Sequence, residues 1–170
     1  MTMRVFGLAG WSGSGKTTLI LKLLPELVSR GVSVASVKHT HHYIDVLRDE
    51  PAARAYRDAG AREVGVFGAR RFAIDSRHDG VDDPPLSQLV SAIGPIDLLL
   101  VEGFKAYPHP KLEIHREETG KPLLYPDDPQ ILGIATDRDI SAPDRQVFGL
   151  EDIAGIADMV MRCARVMTTE

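Results

Sequence analysis

The chain has 170 residues, 44% hydrophobic and 26% charged, with a formal net charge of −4 and a pI near 5.9. That length suits a single domain with its own core, and the acidic balance argues against general nucleic-acid binding, which needs a basic face. A lone cysteine, Cys163, excludes an internal disulfide and a cysteine-based metal framework; no apolar run reaches the ~18 residues of a membrane span or resembles a signal peptide, so a soluble cytoplasmic protein is expected.

Val5 to Ala9 form a short apolar run that predicts a buried strand. The glycine-rich stretch GWSGSGKTTL follows at once, over residues 10–19. Thr17 to Arg30 carry helical apolar spacing that stops at Gly31, and Pro25 inside this helix predicts a bend. Val32 to Val37 predict a second strand, and a polar loop runs from Lys38 to Glu50. Pro51 opens a short helix that reaches Ala59 and closes at Gly60. Residues 62–75, REVGVFGARRFAID, predict a hairpin around Gly68 and Ala69 that adds antiparallel edge strands.

Leu86 to Ile93 predict a helix, and Ile96 to Val101 the most apolar strand of the chain. Residues 106–130 hold five of the eleven prolines and predict extended loops around one strand, KLEIHRE. Strands are expected at Ile131–Ala135 and Gln146–Gly149. The chain should end in an amphipathic helix, with Ile153, Ile156, Val160, Ala164 and Met167 along one face. Strands alternating with helices predict an α/β fold: a mostly parallel sheet flanked by helices, with a small antiparallel hairpin extension. One nucleotide-binding domain spanning residues 1–170 is expected.

Gly10, Gly15, Lys16 and Thr17 fit the phosphate-loop pattern G-x-x-x-x-G-K-[ST], in the strand-loop-helix context it requires. Gly13 and Gly15 let the backbone wrap an anion so that several N–H groups converge on it. A helix N-terminus contributes only ~0.3–1 kcal/mol at an exposed site. Lys16 must therefore add a point charge at the β and γ phosphates, and Thr17 a hydroxyl for Mg2+. The expected nucleotide contacts are Gly10, Trp11, Ser12, Gly13, Ser14, Gly15, Lys16, Thr17 and Thr18.

Mg2+ also needs a carboxylate near the end of a neighbouring strand. Glu102 ends the apolar strand and should emerge at the carboxyl edge of the sheet, where ligands sit in open α/β folds. Asp97 begins that strand and should lie at the far edge. Lys38, His39, His41 and His42 follow the second strand, which should neighbour the first; they form either an anion-facing loop, an exposed polar loop or, less in keeping with known ligand spacings, a zinc site. Asp45 is a further candidate to touch Mg2+ through water. Asp137, just past another strand, is either a guanine-reading carboxylate or a turn and cap residue.

GWSGSGKTTL, LKLLPEL, VKHTHH, YRDAGA at residues 56–61 and VEGFK occur in this order. Together they resemble the molybdopterin-guanine dinucleotide biosynthesis adapter family, MobB, from about residue 3 to about residue 165. The resemblance implies a GTP-binding P-loop NTPase fold, usually a homodimer, with weak GTPase activity. Such a protein assists the molybdenum cofactor guanylyltransferase that joins GMP to molybdopterin. It carries over to the loop at Gly10–Thr18, to Lys38, His39, His41 and His42, to Glu102, Gly103, Phe104 and Lys105, and to Asp137. On this basis Lys38, the three histidines, Gly103, Phe104 and Lys105 are expected to face a substrate or second ligand, molybdopterin among them. Glu50, Pro51, Ala52 and Ala53 stand where the family usually carries Gly-Lys-Asp-Ser, and Trp11 where related dimeric NTPases can place a cross-subunit lysine.

Two other classes share the loop. A small-molecule kinase needs an arginine-bearing lid, for which Arg70, Arg71, Arg116 and Arg138 are the available residues, though none lies in a lid-like segment. A metallochaperone GTPase would use His39, His41 and His42.

Overall fold

The computed structural model describes residues 2–40, 47–76, 85–104 and 107–168. They fall into two compact units, Met1–His39 with Leu86–Glu170, and Thr40–Pro85.

The larger unit is built on a sheet. Strand β1 (Thr2–Ala9) leads through the glycine-rich loop to helix α1 (Lys16–Ser29), and β2 (Val34–Lys38) follows. Helix α3 (Leu86–Ala92) precedes β5 (Leu98–Glu102) and β6 (Lys111–His115); a 3-10 turn (Glu117–Thr119), β7 (Ile131–Thr136), β8 (Gln146–Gly149), α4 (Ile153–Cys163) and β9 (Arg165–Thr168) complete it. Strand order is β2-β5-β1-β6-β7-β8, all parallel, with β9 antiparallel to β1.

The two-residue period of a strand assigns the two faces. Phe6, Leu8, Leu98, Leu100, Leu112 and Ile114 join the core formed with α1 and α4. Met3, Val5, Leu99 and Val101 join the opposite core, against Leu86 and Val90 of α3. Coverage of both faces explains the unbroken apolar run of β5, a pattern typical of parallel sheets. Helix α1 runs through Pro25 and ends in a Schellman arrangement: Gly31 N donates to Val28 O at 2.9 Å and Val32 N to Leu27 O at 3.2 Å.

The predicted α/β architecture is present, with three local corrections. First, β2 does not neighbour β1, because β5 lies between them. β5 is buried on both faces, which suits a central strand, whereas β2 exposes Ser36 and Lys38, which suits an edge. Second, the final helix stops at Cys163, and Ala164 turns to extended backbone, ψ 128°. The next four residues pair with Thr2–Val5 along the edge of β1 that β6, paired only with Gly7–Ala9, leaves open. Met167 therefore packs into the α3-side core, not on the α4 face with Ile156 and Val160. Third, the hairpin forms a sheet of its own.

That hairpin belongs to the smaller unit, where α2 (Pro51–Asp58) precedes β3 (Glu63–Phe67) and β4 (Phe72–Ser76). Leu47, Ala53 and Val64 form its small core, with Val66 and Ala73 packed against them. Arg57 and Asp75 pair at 2.6 Å. Phe67, Phe72 and Ile74 are exposed.

Candidate functional site

The loop from Gly10 to Gly15 joins the carboxyl end of β1 to the start of α1. Gly10, Gly13 and Gly15 have φ of 148°, 81° and 92°. The backbone needs glycine for two reasons. A Cβ on Gly10 would overlap the carbonyl oxygen of Ile114 and the hydroxyl of Ser14, and the left-handed φ of Gly15 disfavours any side chain. Leu19 N donates to Gly15 O at 2.9 Å, so the helix begins here and its first amides lack intrahelical acceptors. Lys16 Nζ donates to the carbonyls of Gly10 at 2.9 Å and Trp11 at 2.8 Å. Ser14 is buried, and its Oγ has no hydrogen-bond partner among the described residues. Ser12, Gly13 and Thr18 are exposed. The indole N–H of Trp11 donates to Pro122 O at 2.8 Å, and the Lys121 ammonium lies 5.7 Å from its ring centroid.

On one flank stands Glu102. Parallel register sets Leu8 of β1 opposite Glu102 of β5, and Glu102 opposite Lys38 of β2. Burial leaves Glu102 only 6% exposed, and it accepts from Thr17 Oγ1 at 3.0 Å on both carboxylate oxygens. Lys38 Nζ lies 3.3 Å from Glu102 Oε1 and 3.5 Å from Thr17 Oγ1. Thr17, Glu102 and Lys38 thus form one polar cluster, although β2 and β1 are not neighbours.

The second motif and the third meet for the same reason. His39 N donates to Glu102 O at 2.9 Å, and the His39 ring lies 4.7 Å from that of Phe104. Gly103 and Phe104 both have positive φ, 91° and 50°, and the buried Phe104 also meets Tyr107 edge-on at 5.2 Å. His41, His42, Asp45 and Lys105 lie outside the described residues. Asp97 sits at the opposite edge, where Oδ2 accepts from Ser33 N at 2.8 Å and Ser33 Oγ at 2.6 Å; these bonds hold its carboxyl below the usual range.

On the other flank, Asp137 follows β7. Its Oδ1 accepts from Glu117 N at 3.0 Å, and its Oδ2 lies 3.9 Å from Arg116 Nη1. Arg116 packs beside Gly15: its Nε is 3.1 Å from the place a Cβ there would occupy. Sequence reasoning placed Arg116 only among lid candidates. Its position one residue beyond β6, at the same sheet edge as Glu102, is the signal that could have found it.

The pattern has counterparts among known proteins. The MobB family, described as molybdopterin guanine dinucleotide synthesis protein B, matches residues 5–137. A molybdopterin-guanine dinucleotide biosynthesis adapter protein of Haemophilus influenzae is 36% identical over 158 residues, covering 92% of this chain and 86% of that one. Its counterpart in Escherichia coli is 35% identical over 158 residues, covering 90% and 89%. In fold, the crystal structure of Bacillus subtilis MobB matches with a TM-score of 0.73 at 24% identity, covering 96% of this chain and 99% of that one. The phosphate loop, its strand-end carboxylate and these matches agree: this chain belongs to the MobB family.

Proposed function

We propose that this protein holds GTP and Mg2+ at the Gly10–Thr18 loop and acts as an adapter in molybdopterin-guanine dinucleotide biosynthesis. In this role it works as a homodimer alongside the molybdenum cofactor guanylyltransferase, with molybdopterin as the candidate second ligand. The observation that carries the proposal is the convergence of the Thr17 hydroxyl and the Glu102 carboxylate, 3.0 Å apart, at the start of α1. A hydroxyl and a carboxylate in that place suit Mg2+, a hard cation that prefers oxygen ligands and is held through few protein groups. The metal would neutralise phosphate charge there. Lys16 and the first amides of α1 would hold the phosphates, and the buried Ser14 hydroxyl is a further polar group available beneath the loop. Family membership and the adapter names of the two bacterial relatives support the biosynthetic role.

Hydrolysis should be slow. The chain has three glutamines, Gln88, Gln130 and Gln146. The first is on α3, and the other two lie at the amino ends of β7 and β8, the sheet edge opposite Glu102. None is placed to orient an attacking water at the loop, as the glutamine of Ras-like GTPases does. The nucleotide is thus a handle presented or sensed with a partner enzyme.

Calorimetry with GTP, ATP and their diphosphates, with and without Mg2+, tests the proposal. GTP should bind best, and Mg2+ should tighten the triphosphate. Lys16→Ala should lower affinity at least ~100-fold with an unchanged circular dichroism spectrum, and Glu102→Gln should remove most of the Mg2+ effect. Unchanged affinity in Lys16→Ala, or no binding of any nucleotide by the wild type, defeats nucleotide binding. Failure to retain the guanylyltransferase in a pull-down, with and without GTP, defeats the partner assignment.

A further inference from the structure

We propose that Arg116 is a phosphate-binding residue of this site, a second fixed cation beside Lys16, and that Asp137 is its positioning residue. The inference rests on the nucleotide-binding function proposed above and assigns that site one more contact.

The placement follows from strand parity. Leu112 and Ile114 of β6 point to the face covered by α1. Arg116 continues that face one step beyond the strand, in extended backbone with φ −125° and ψ 134°. It therefore emerges where α1 begins, and its guanidinium sits against Gly15, with Nε 3.1 Å and Nη2 3.6 Å from the position of a Cβ there. A Cβ at Gly15 would press on the guanidinium, which would have to give by a few tenths of an ångström, while the φ of 92° is what favours glycine there. Its side chain remains 31% exposed, so its donors are not all enclosed by protein.

Charge points the same way. The amino end of α1 already carries the positive pole of the helix and Lys16, and a further cation has the wrong sign for helix stability. Only one carboxylate approaches the guanidinium among the described residues. That is Asp137, at 3.9 Å, whose Oδ1 already accepts from Glu117 N. Arg138 pairs with Glu117 at 3.7 Å. On the opposite flank Lys38 lies 3.3 Å from Glu102. An anion cradled by the loop would meet the helix pole, Lys16 and Arg116 together. A planar guanidinium, here with a carboxylate 3.9 Å away, is the group suited to phosphate oxygens.

The test is titration of GTP, GDP and inorganic pyrophosphate into wild type, Arg116→Gln, Arg116→Lys and Asp137→Asn, each at about 0.05 M and about 0.5 M salt. Arg116→Gln should weaken all three ligands roughly ten- to hundredfold, and the deficit should shrink at high salt, as the loss of a fixed charge requires. Arg116→Lys should recover part of the loss. Asp137→Asn should weaken binding less than Arg116→Gln, because the cation remains while its tether is reduced. Arg116→Met, which keeps the aliphatic stem, serves as a second removal of the charge if the glutamine variant does not fold. Wild-type affinity in either charge-removing variant, or a deficit independent of salt and equal in Arg116→Lys, overturns the inference. Failure of this inference alone shows as Lys16→Ala losing binding while Arg116→Gln keeps it; failure of wild type to bind any of the three ligands sinks both proposals.

Discussion

Strands β5 and β6 flank β1, and all five residues of each are buried, yet they achieve burial by different routes. In β5, Leu98, Leu99, Leu100 and Val101 meet apolar cover on both faces of the sheet. β6 alternates. Leu112 and Ile114 join the α1 side, while Lys111, Glu113 and His115 point the other way and take their partners largely from the segment that follows. Lys111 Nζ donates to Asp128 Oδ2 at 2.9 Å and Tyr107 O at 2.7 Å. Glu113 accepts from Leu124 N at 2.7 Å and Tyr125 N at 2.9 Å. His115 Nε2 lies 3.2 Å from Lys121 O, and Nδ1 lies 3.3 Å from Thr136 Oγ1. A buried parallel strand thus needs either apolar neighbours or a loop that satisfies its polar groups. Both strands lead to a charged residue on the α1 face of the same edge, Glu102 on one side of the phosphate loop and Arg116 on the other. The apolar strand sets the candidate metal side, and the loop-dependent strand sets the cationic side.

Cavity formation in β5 is the harshest way to test this contrast. Leu100→Ala should lose about 3–5 kcal/mol in urea unfolding, since Leu100 has no exposure and neighbours on every side. Glu113→Ala should lose about 1–3 kcal/mol, because the N–H groups of the half-buried Leu124 and Tyr125 lose their acceptor. Swaps that keep volume sharpen the difference. Leu100→Met should cost under ~1.5 kcal/mol, whereas Glu113→Met should cost nearly as much as Glu113→Ala. A Glu113→Met protein as stable as wild type would show that the polar face of β6 needs only apolar filling.

The same contrast explains what could be read from the sequence. The phosphate loop is legible because its chemistry is local: glycines, lysine and threonine at fixed spacing between a strand and a helix. Glu102 is legible because four apolar residues end in one carboxylate. Lys38 is not legible as its neighbour, since that contact depends on β5 entering the sheet between β1 and β2, a pairing over 60 residues long in sequence that local pattern does not encode. Arg165–Thr168 continue the helical spacing of α4, so β9 escapes notice; what decides their conformation is the open edge of β1, at the other end of the chain. Arg116 is hidden in a run of charges, Arg116, Glu117 and Glu118, whose roles separate only when the 3-10 turn directs the first toward Gly15 and binds the second's amide to Asp137.

The gentlest probe of the polar side is pH. His109 precedes β6 on the same side as Lys111, is 3% exposed, and packs against Gly7 so closely that a Cβ on that glycine would overlap its ring. Among the described residues, neither ring nitrogen has a hydrogen-bond partner. Burial, followed by the nearby Lys111 ammonium, pushes its pKa down from 6.5 to about 4, and Asp128 opposes this only in part. The folded chain therefore holds His109 neutral where the unfolded chain takes up a proton. Stability from this group is fully present above about pH 6.5 and is lost as pH falls toward about 4, by about 1–3 kcal/mol in all. Urea unfolding of wild type and His109→Leu at pH 7 and pH 5 isolates the effect, because leucine cannot titrate. Wild type should lose more stability than the variant between the two pH values. Equal losses would mean that His109 is solvated or charged in the fold, and that this end of the β6 face is not closed to water.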